Sequence, residues 1–113
     1  MDPKKVILIT GAGRGLGAAV AEYMSSQGLR IILADKNKID LRELNSKNIL
    51  SYQVDVSKRQ EVKDMFASAY NRFKQIDYLI NFAGINRDGP FLEMTEEDWD
   101  SVVSVHLKGT FIC

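Results

Sequence analysis

The residues with the most chemical content come early in the chain. Gly13-Arg14-Gly15-Leu16-Gly17-Ala18 fits the pattern G-x-G-x-x-G/A, directly after an apolar run and directly before a stretch of helical periodicity. Glycines at this spacing let backbone N–H groups approach a pyrophosphate closely, and the start of the following helix adds partial positive charge. Any tight strand-to-helix turn also needs glycine, so the loop alone is a weak signal. Asp35 strengthens it. It closes the next apolar run about 20 residues further on, where a carboxylate can accept hydrogen bonds from an adenosine ribose. The pair predicts a dinucleotide cradle in preference to a purely structural turn.

Two other glycine-loop chemistries compete. A triphosphate-binding P-loop requires G-x-x-x-x-G-K-S/T, and no Lys-Ser or Lys-Thr follows these glycines. A fold that binds S-adenosylmethionine for methyl transfer also has a glycine-rich first loop and an acid after its second strand. Such a loop is usually preceded by an acidic residue; Thr10 stands there instead, leaving the methyltransferase as a minor alternative.

The elements that must position these residues are legible as alternating patterns. "KKVILIT" and "LRIILAD" are nearly continuously apolar, as strands covered on both faces of a parallel sheet are, and "ILSYQVDV" and "IDYLINFAG" read as third and fourth strands. Between the first two, Leu16, Ala19, Val20, Tyr23 and Met24 make one helical stripe stopped by Gly28. A short helix around Asp40 to Asn45 precedes the third strand. Ser57 and Gln60 suggest a capping box opening a helix whose stripe is Val62, Met65, Phe66, Ala69 and Phe73. A last helix starts at Thr95, and Glu96, Glu97, Asp98 and Asp100 read as a solvated first turn matched to the helix dipole. With right-handed crossovers this order predicts an α/β, doubly wound, Rossmann-like parallel sheet of strand order 3-2-1-4. The last helix is still in phase at Cys113, and no further strand covers the outer edge of the fourth. The expectation is a domain truncated after that helix, with an edge prone to association.

At 113 residues the chain is long enough for one domain and too short for two. Fifteen basic residues balance fifteen acidic ones, which offers no electrostatic reason for nucleic acid or an anionic membrane as partner. One cysteine, Cys113, and one histidine, His106, argue against disulfides within the chain and against a metal site. The N-terminal apolar run is too short for a signal peptide, so the expected location is cytoplasmic.

Taken together, the motifs resemble the short-chain dehydrogenase/reductase family. "TGAGRGLG" (Thr10 to Gly17) matches the T-G-x-x-x-G-x-G loop at every fixed position, Asp55-Val56 matches the pair after strand three, and "NFAG" at Asn81 to Gly84 is similar to N-N-A-G. "MTEEDWDSVVSVHLKGTF" looks like the following segment, and the likeness covers essentially the whole chain. The resemblance implies that Gly11, Gly15 and Gly17 line the pyrophosphate with the backbone around Arg14 and Leu16. It implies that Asp35 holds the adenosine ribose, Asp55 the adenine amino group and the Val56 backbone the adenine edge. Asn81, Ala83 and Gly84 would pass beneath the ribose nearer the nicotinamide. A carboxylate at Asp35 opposes a 2′-phosphate and favours NAD over NADP, although Arg14 and Lys36 could meet such a phosphate as cations.

The sequence also departs from the family. Phe82 replaces the second Asn of N-N-A-G. His106 stands at a position usually held by a catalytic Asn, and its place on a stripe with Trp99, Val102 and Val103 suggests a packed, hydrogen-bonded core histidine over a catalytic substitute. The family's catalytic Ser and Tyr-x-x-x-Lys are missing. Tyr70 has Lys74 four residues on, but "YNRFK" reads as amphipathic helix surface. No catalytic residue is therefore assigned. The expectation is the NAD(P)-binding half, residues 1–113, of an oxidoreductase that interconverts a carbonyl and an alcohol by hydride transfer, inactive alone. It looks closest to 3-oxoacyl carrier-protein reductases. Its partners would be a nicotinamide dinucleotide, a small carbonyl or alcohol substrate only with the missing half, and a second copy or complementing chain. The alternative from another class is a non-catalytic nucleotide-binding or interaction module.

Overall fold

Two nearly continuous apolar runs form the middle of the sheet, where both faces are covered and no polar alternation is tolerated. In the computed structural model, which describes residues 2, 4–42, 44 and 46–113, these are β1 (Val6–Thr10) and β2 (Arg30–Asp35), and β1 is buried at every position. β3 (Ile49–Gln53) pairs in parallel with β2, and β4 (Tyr78–Asn81) pairs in parallel with β1. The four-stranded order is β3-β2-β1-β4, as the crossover rule predicts. The chain thus reverses its direction of travel across the sheet at β1, and a crevice opens beyond the strand ends there.

Alternation along β1 divides the core in two. Val6 and Leu8 pack with Ile32 and Ala34 against α2 (Arg59–Phe73), through Val62, Met65 and Ala69. Phe66 and Phe73 extend that contact, so the stripe expected for this helix is the one that packs. Ile7 and Ile9 pack with Ile31 and Leu33 on the other face, covered by α1 (Gly15–Ser26).

The face of α1 is rotated from the expected one: Val20 and Met24 of the expected stripe pack against the core, but Leu16, Ala19 and Tyr23 do not. Leu16 and Tyr23 are 74% and 64% exposed, and the buried positions are Gly17, Ala21 and Ser25, flanked by partly buried Val20 and Met24. Small residues at i, i+4 and i+8 let the helix backbone approach the sheet closely, and that approach outweighs the larger apolar area of Leu16 and Tyr23. Gly28, at φ +72°, ends the helix as expected by donating its N–H to the Ser25 carbonyl.

Two other expectations are corrected. Around Asp40 to Asn45 the described residues form no helix and Glu43 and Asn45 lie outside the described residues; the Leu44 N–H bonds to the Leu41 carbonyl at 3.0 Å in a single turn, and a 3₁₀ turn follows at Ser46–Asn48. Ser57 does not cap α2. Lys58 holds the cap position without a side-chain bond, while the Ser57 hydroxyl donates to the Asp55 carboxylate at 2.6 Å. A charged acceptor makes the stronger hydrogen bond and takes the hydroxyl from the helix.

At the last helix, Thr95 caps as expected, accepting the Asp98 N–H at 3.1 Å. The helix runs as α3 (Glu96–Val103), a π-helical turn (Ser104–Lys108) and α4 (Gly109–Ile112).

The base of the β1–β4 pair is closed by Asp77, whose carboxylate accepts from Lys5 Nζ at 2.8 Å, the Val6 N–H at 2.8 Å and Gln75 Nε2 at 2.9 Å. Lys5, first through its hydrogen bond, and then the Val6 amide hold this carboxyl below its ordinary pKa. A depressed folded-state pKa contributes stability that is fully present above the unfolded value, about 4, and is lost as pH falls through the folded value. Urea midpoints should therefore fall between pH 7 and pH 3 by more in the parent chain than in Asp77→Asn. Equal falls would show that the clamp contributes nothing to acid sensitivity.

Candidate functional site

The turn after β1 uses its glycines for different physical reasons. A Cβ on Gly11 (φ +65°) would stand 2.6 Å from the Ala83 nitrogen and the Phe82 carbonyl carbon. A Cβ on Gly17 would stand 2.1 Å from the Gly11 carbonyl oxygen. These two glycines allow backbone to lie on backbone. Beyond its chain neighbours and its own helix backbone, Gly15 (φ +57°) has none of the described residues within 4 Å of its Cβ position. Its bare face opens onto free space at the start of α1, where Arg14 provides no side-chain cap and the first turn carries no acid. The N–H groups of that turn are therefore left for an outside acceptor. The start of α3 is the opposite case, with Thr95 capping and Glu96, Glu97 and Asp98 in its first turn.

Thr10 locks this turn to the strand beside it. Buried at the end of β1, it accepts the Ala83 N–H on Oγ1 at 3.2 Å and the Phe82 N–H on its carbonyl at 3.2 Å. Its hydroxyl also lies 3.5 Å from the Asn81 side-chain oxygen.

Both acids singled out from sequence are held by backbone. Asp35 accepts the Gly13 N–H on Oδ2 and the Asn37 N–H on Oδ1, each at 2.9 Å. Asp55 accepts the Ser57 N–H on Oδ1 at 3.0 Å together with the Ser57 hydroxyl, and Lys36 Nζ stands 3.7 Å from Oδ2. Burial pushes the Asp55 carboxyl up, but Ser57, Lys36 and Lys58 outweigh it and hold it below its ordinary range. Glu61 accepts the Asp55 N–H at 2.9 Å, which fixes the segment after β3 against α2.

These groups converge on one cleft of about 430 Å³. Gly11, Arg14, Gly15, Leu16 and Gly17 line it from the first turn, Asp35 from β2, Asp55 and Val56 from the segment after β3, and Ala83 and Gly84 from the segment after β4. Asn81 is exposed outside this lining, its side chain turned to Thr10. Phe82, Ile85, Arg87 and Val105 also line the cleft and were not foreseen there. Phe82 and Ile85 flank a recognised motif. Arg87, 3.7 Å from Asp98, carries no sequence signal, and Val105 reaches the cleft only because the last helix folds back. Gly109 permits that return, since a Cβ there would stand 2.8 Å from Val56 Cγ2. The Tyr70–Lys74 pair lies elsewhere, with Tyr70 exposed on α2 and Lys74 as its left-handed C-cap.

His106 is hydrogen-bonded, as expected, but exposed and not part of the core. It sits in the π-helical turn, and Nε2 is 3.0 Å from the Ile85 nitrogen and 2.9 Å from the Ile85 oxygen. One ring nitrogen cannot donate and accept at once. The Nδ1–H tautomer accepts the Ile85 N–H, and the Nε2–H tautomer donates to the Ile85 carbonyl. Either way the imidazole braces the Gly84–Ile85 segment, and a Cβ on Gly84 would stand only 2.5 Å from His106 Cε1.

Residues 5–113 match the family model described as short chain dehydrogenase. The chain is 38% identical over 119 residues to the short-chain reductase protein NovJ of Streptomyces niveus, across 100% of this chain and 45% of NovJ. It is 34% identical over 116 residues to the 3-oxoacyl-acyl-carrier-protein reductase FabG of Staphylococcus epidermidis, across 96% of this chain and 48% of that protein. A solved short chain dehydrogenase of Leptospira borgpetersenii with bound NAD+ superposes with a TM-score of 0.88 at 36% identity, over 96% of this chain and 42% of that one. The chain spans about half the length of the curated relatives it matches. The match begins just before β1 and carries through α4, which sets aside the methyltransferase alternative: the chain belongs to the short chain dehydrogenase family.

Proposed function

We propose that the cleft holds a nicotinamide dinucleotide and that residues 1–113 are the dinucleotide-binding half of an oxidoreductase interconverting a carbonyl and an alcohol. One observation carries this reading: the uncapped start of α1, with Gly15 bare toward open space, shares a cleft with the backbone-held Asp35 carboxylate. The group fits the residues present. The turn at Gly11, Arg14, Gly15, Leu16 and Gly17 offers N–H groups and a helix N-terminus to a pyrophosphate. Each Asp35 oxygen holds one N–H and keeps a lone pair for a ribose hydroxyl. Asp55 and Val56 suit the adenine, and Ala83 and Gly84 the ribose nearer the nicotinamide. Asn81 would act there through Thr10. When bound, the nicotinamide supplies or accepts the hydride.

NAD is the favoured cofactor. A 2′-phosphate at the ribose would meet the Asp35 carboxylate, and Lys36 is drawn to Asp55, which leaves Arg14 as the exposed cation of the loop. No counterpart of the family's Ser and Tyr-x-x-x-Lys lies within residues 1–113, so these residues alone are read as inactive toward carbonyl substrates. The likeness to the 3-oxoacyl-acyl-carrier-protein reductase FabG favours an oxo compound or its alcohol as substrate of the whole protein. A cytoplasmic location is part of this reading; separately, no helix among the described residues is long and apolar enough to cross a membrane. The outer edge of β4, with Tyr78 and Leu79 exposed, favours association with a second copy or a complementing chain. A non-catalytic interaction module is the second reading, favoured by exposed Trp99, Leu107 and Phe111 on the last helix.

Fluorescence titration tests the cofactor reading. NADH should bind the chain more tightly than NADPH, and Asp35→Ala should weaken NADH by about tenfold, the worth of a charge-assisted hydrogen bond. A folded chain that binds neither dinucleotide overturns it. Reduction of an acetoacetyl substrate by this chain alone would overturn the assignment of inactivity.

A further inference from the structure

Gly13 occupies a variable position of the T-G-x-x-x-G-x-G loop. Unlike Gly11 and Gly15, it has no positive φ that would call for glycine. The space above it is nevertheless filled. A Cβ on Gly13 would stand 2.9 Å from both Cγ and Oδ2 of Asp35 and 3.3 Å from Oδ1. The Gly13 N–H bonds to the same Oδ2 at 2.9 Å.

We infer that Gly13 is a specificity-determining residue that positions the Asp35 carboxylate, so that residues 13 and 35 together select a ribose with a free 2′-hydroxyl over one carrying a 2′-phosphate. The inference rests on the reading of the cleft as a dinucleotide site. The Gly13 and Asn37 N–H groups hold the two carboxylate oxygens in place before any ligand arrives, so no side-chain ordering is left to oppose binding. Among the described residues Asp35 forms no ion pair, so its charge is not neutralised. A phosphate dianion would have to displace a carboxylate anchored at both oxygens, whereas an unanchored one would swing aside. The three atoms nearest a methyl group at position 13 all belong to the end of the Asp35 side chain, which can rotate away. The fold tolerates the change, and the carboxylate loses its anchor.

NADH and NADPH affinities of the parent chain, Gly13→Ala, Asp35→Ala and the double variant test this, with a thermal melt of each. Gly13→Ala should melt close to the parent, and its ratio of NADPH to NADH affinity should rise by about tenfold. Adding Gly13→Ala to Asp35→Ala should change the ratio no further, because both act through one carboxylate. If the parent binds NADH while Gly13→Ala leaves the ratio unchanged, or shifts it equally in the Asp35→Ala background, the inference falls and the cofactor site stands. If the folded parent binds neither dinucleotide, the site and the inference fall together.

Discussion

Gly17→Ala is expected to destabilise the chain by about 3 kcal/mol, the upper range for overpacking a close contact. In an exposed helix interior the same change stabilises by about 1 kcal/mol, so the sign itself is diagnostic. The added methyl would stand 2.1 Å from the Gly11 oxygen, 2.8 Å from the Gly11 carbonyl carbon and 3.2 Å from the Ala12 Cα. All three are backbone atoms. Gly11 cannot retreat, because the Phe82–Ala83 backbone already lies against it and Thr10 bonds to both of those residues. Relief requires α1 to lift from the sheet, which would loosen Ala21 and the partly buried Val20 and Met24 from the core. Urea unfolding followed by circular dichroism measures the effect. A midpoint equal to the parent's would mean that the turn relaxes freely and that the close approach of α1 is not enforced here.

Gly15→Val is expected to leave most of the fold intact and to weaken dinucleotide binding by at least about a hundredfold, the combined worth of two charge-assisted hydrogen bonds. Apart from its chain neighbours and the backbone of its own helix, none of the described residues lies within 4 Å of the new Cβ, so its structural cost is that of a left-handed φ of +57°, about 1–2 kcal/mol. The branched side chain would fill the space at the open start of α1 and bar a pyrophosphate from the N–H groups there. A thermal melt and an NADH titration on one sample separate the two effects. Unchanged affinity in a folded variant would place the pyrophosphate away from this turn. The two glycines, two residues apart in one motif, are thus expected to fail in opposite ways.

That contrast marks how far the sequence could be read. Short apolar runs rich in β-branched residues and bounded by turn signals read as strands, and right-handed crossovers leave one economical order for four of them, so β3-β2-β1-β4 follows from local pattern and chain handedness. The glycine turn, Asp35 and Asp55 were legible because each ends a strand on the same side of a parallel sheet, where the fold itself brings them to one cleft. The buried face of α1 was legible only at Val20 and Met24. Counting apolar residues selects Leu16 and Tyr23, whereas close approach to the sheet selects Gly17, Ala21 and Ser25. Ser57 reads as a cap until the charged Asp55 stands beside it as a better acceptor. His106 reads as core until the π-helical turn aims it at the Ile85 backbone.

By itself, the sequence determined the strands, their order, the family and the glycine turn between β1 and α1, since each is a matter of local periodicity or short spacing. Tertiary structure alone decided which glycine packs, which faces open space and which makes room for a carboxylate. Those roles are set by atoms of Phe82, Ala83 and Asp35, far along the chain from the turn and brought against it only by the pairing of β1 with its two neighbours.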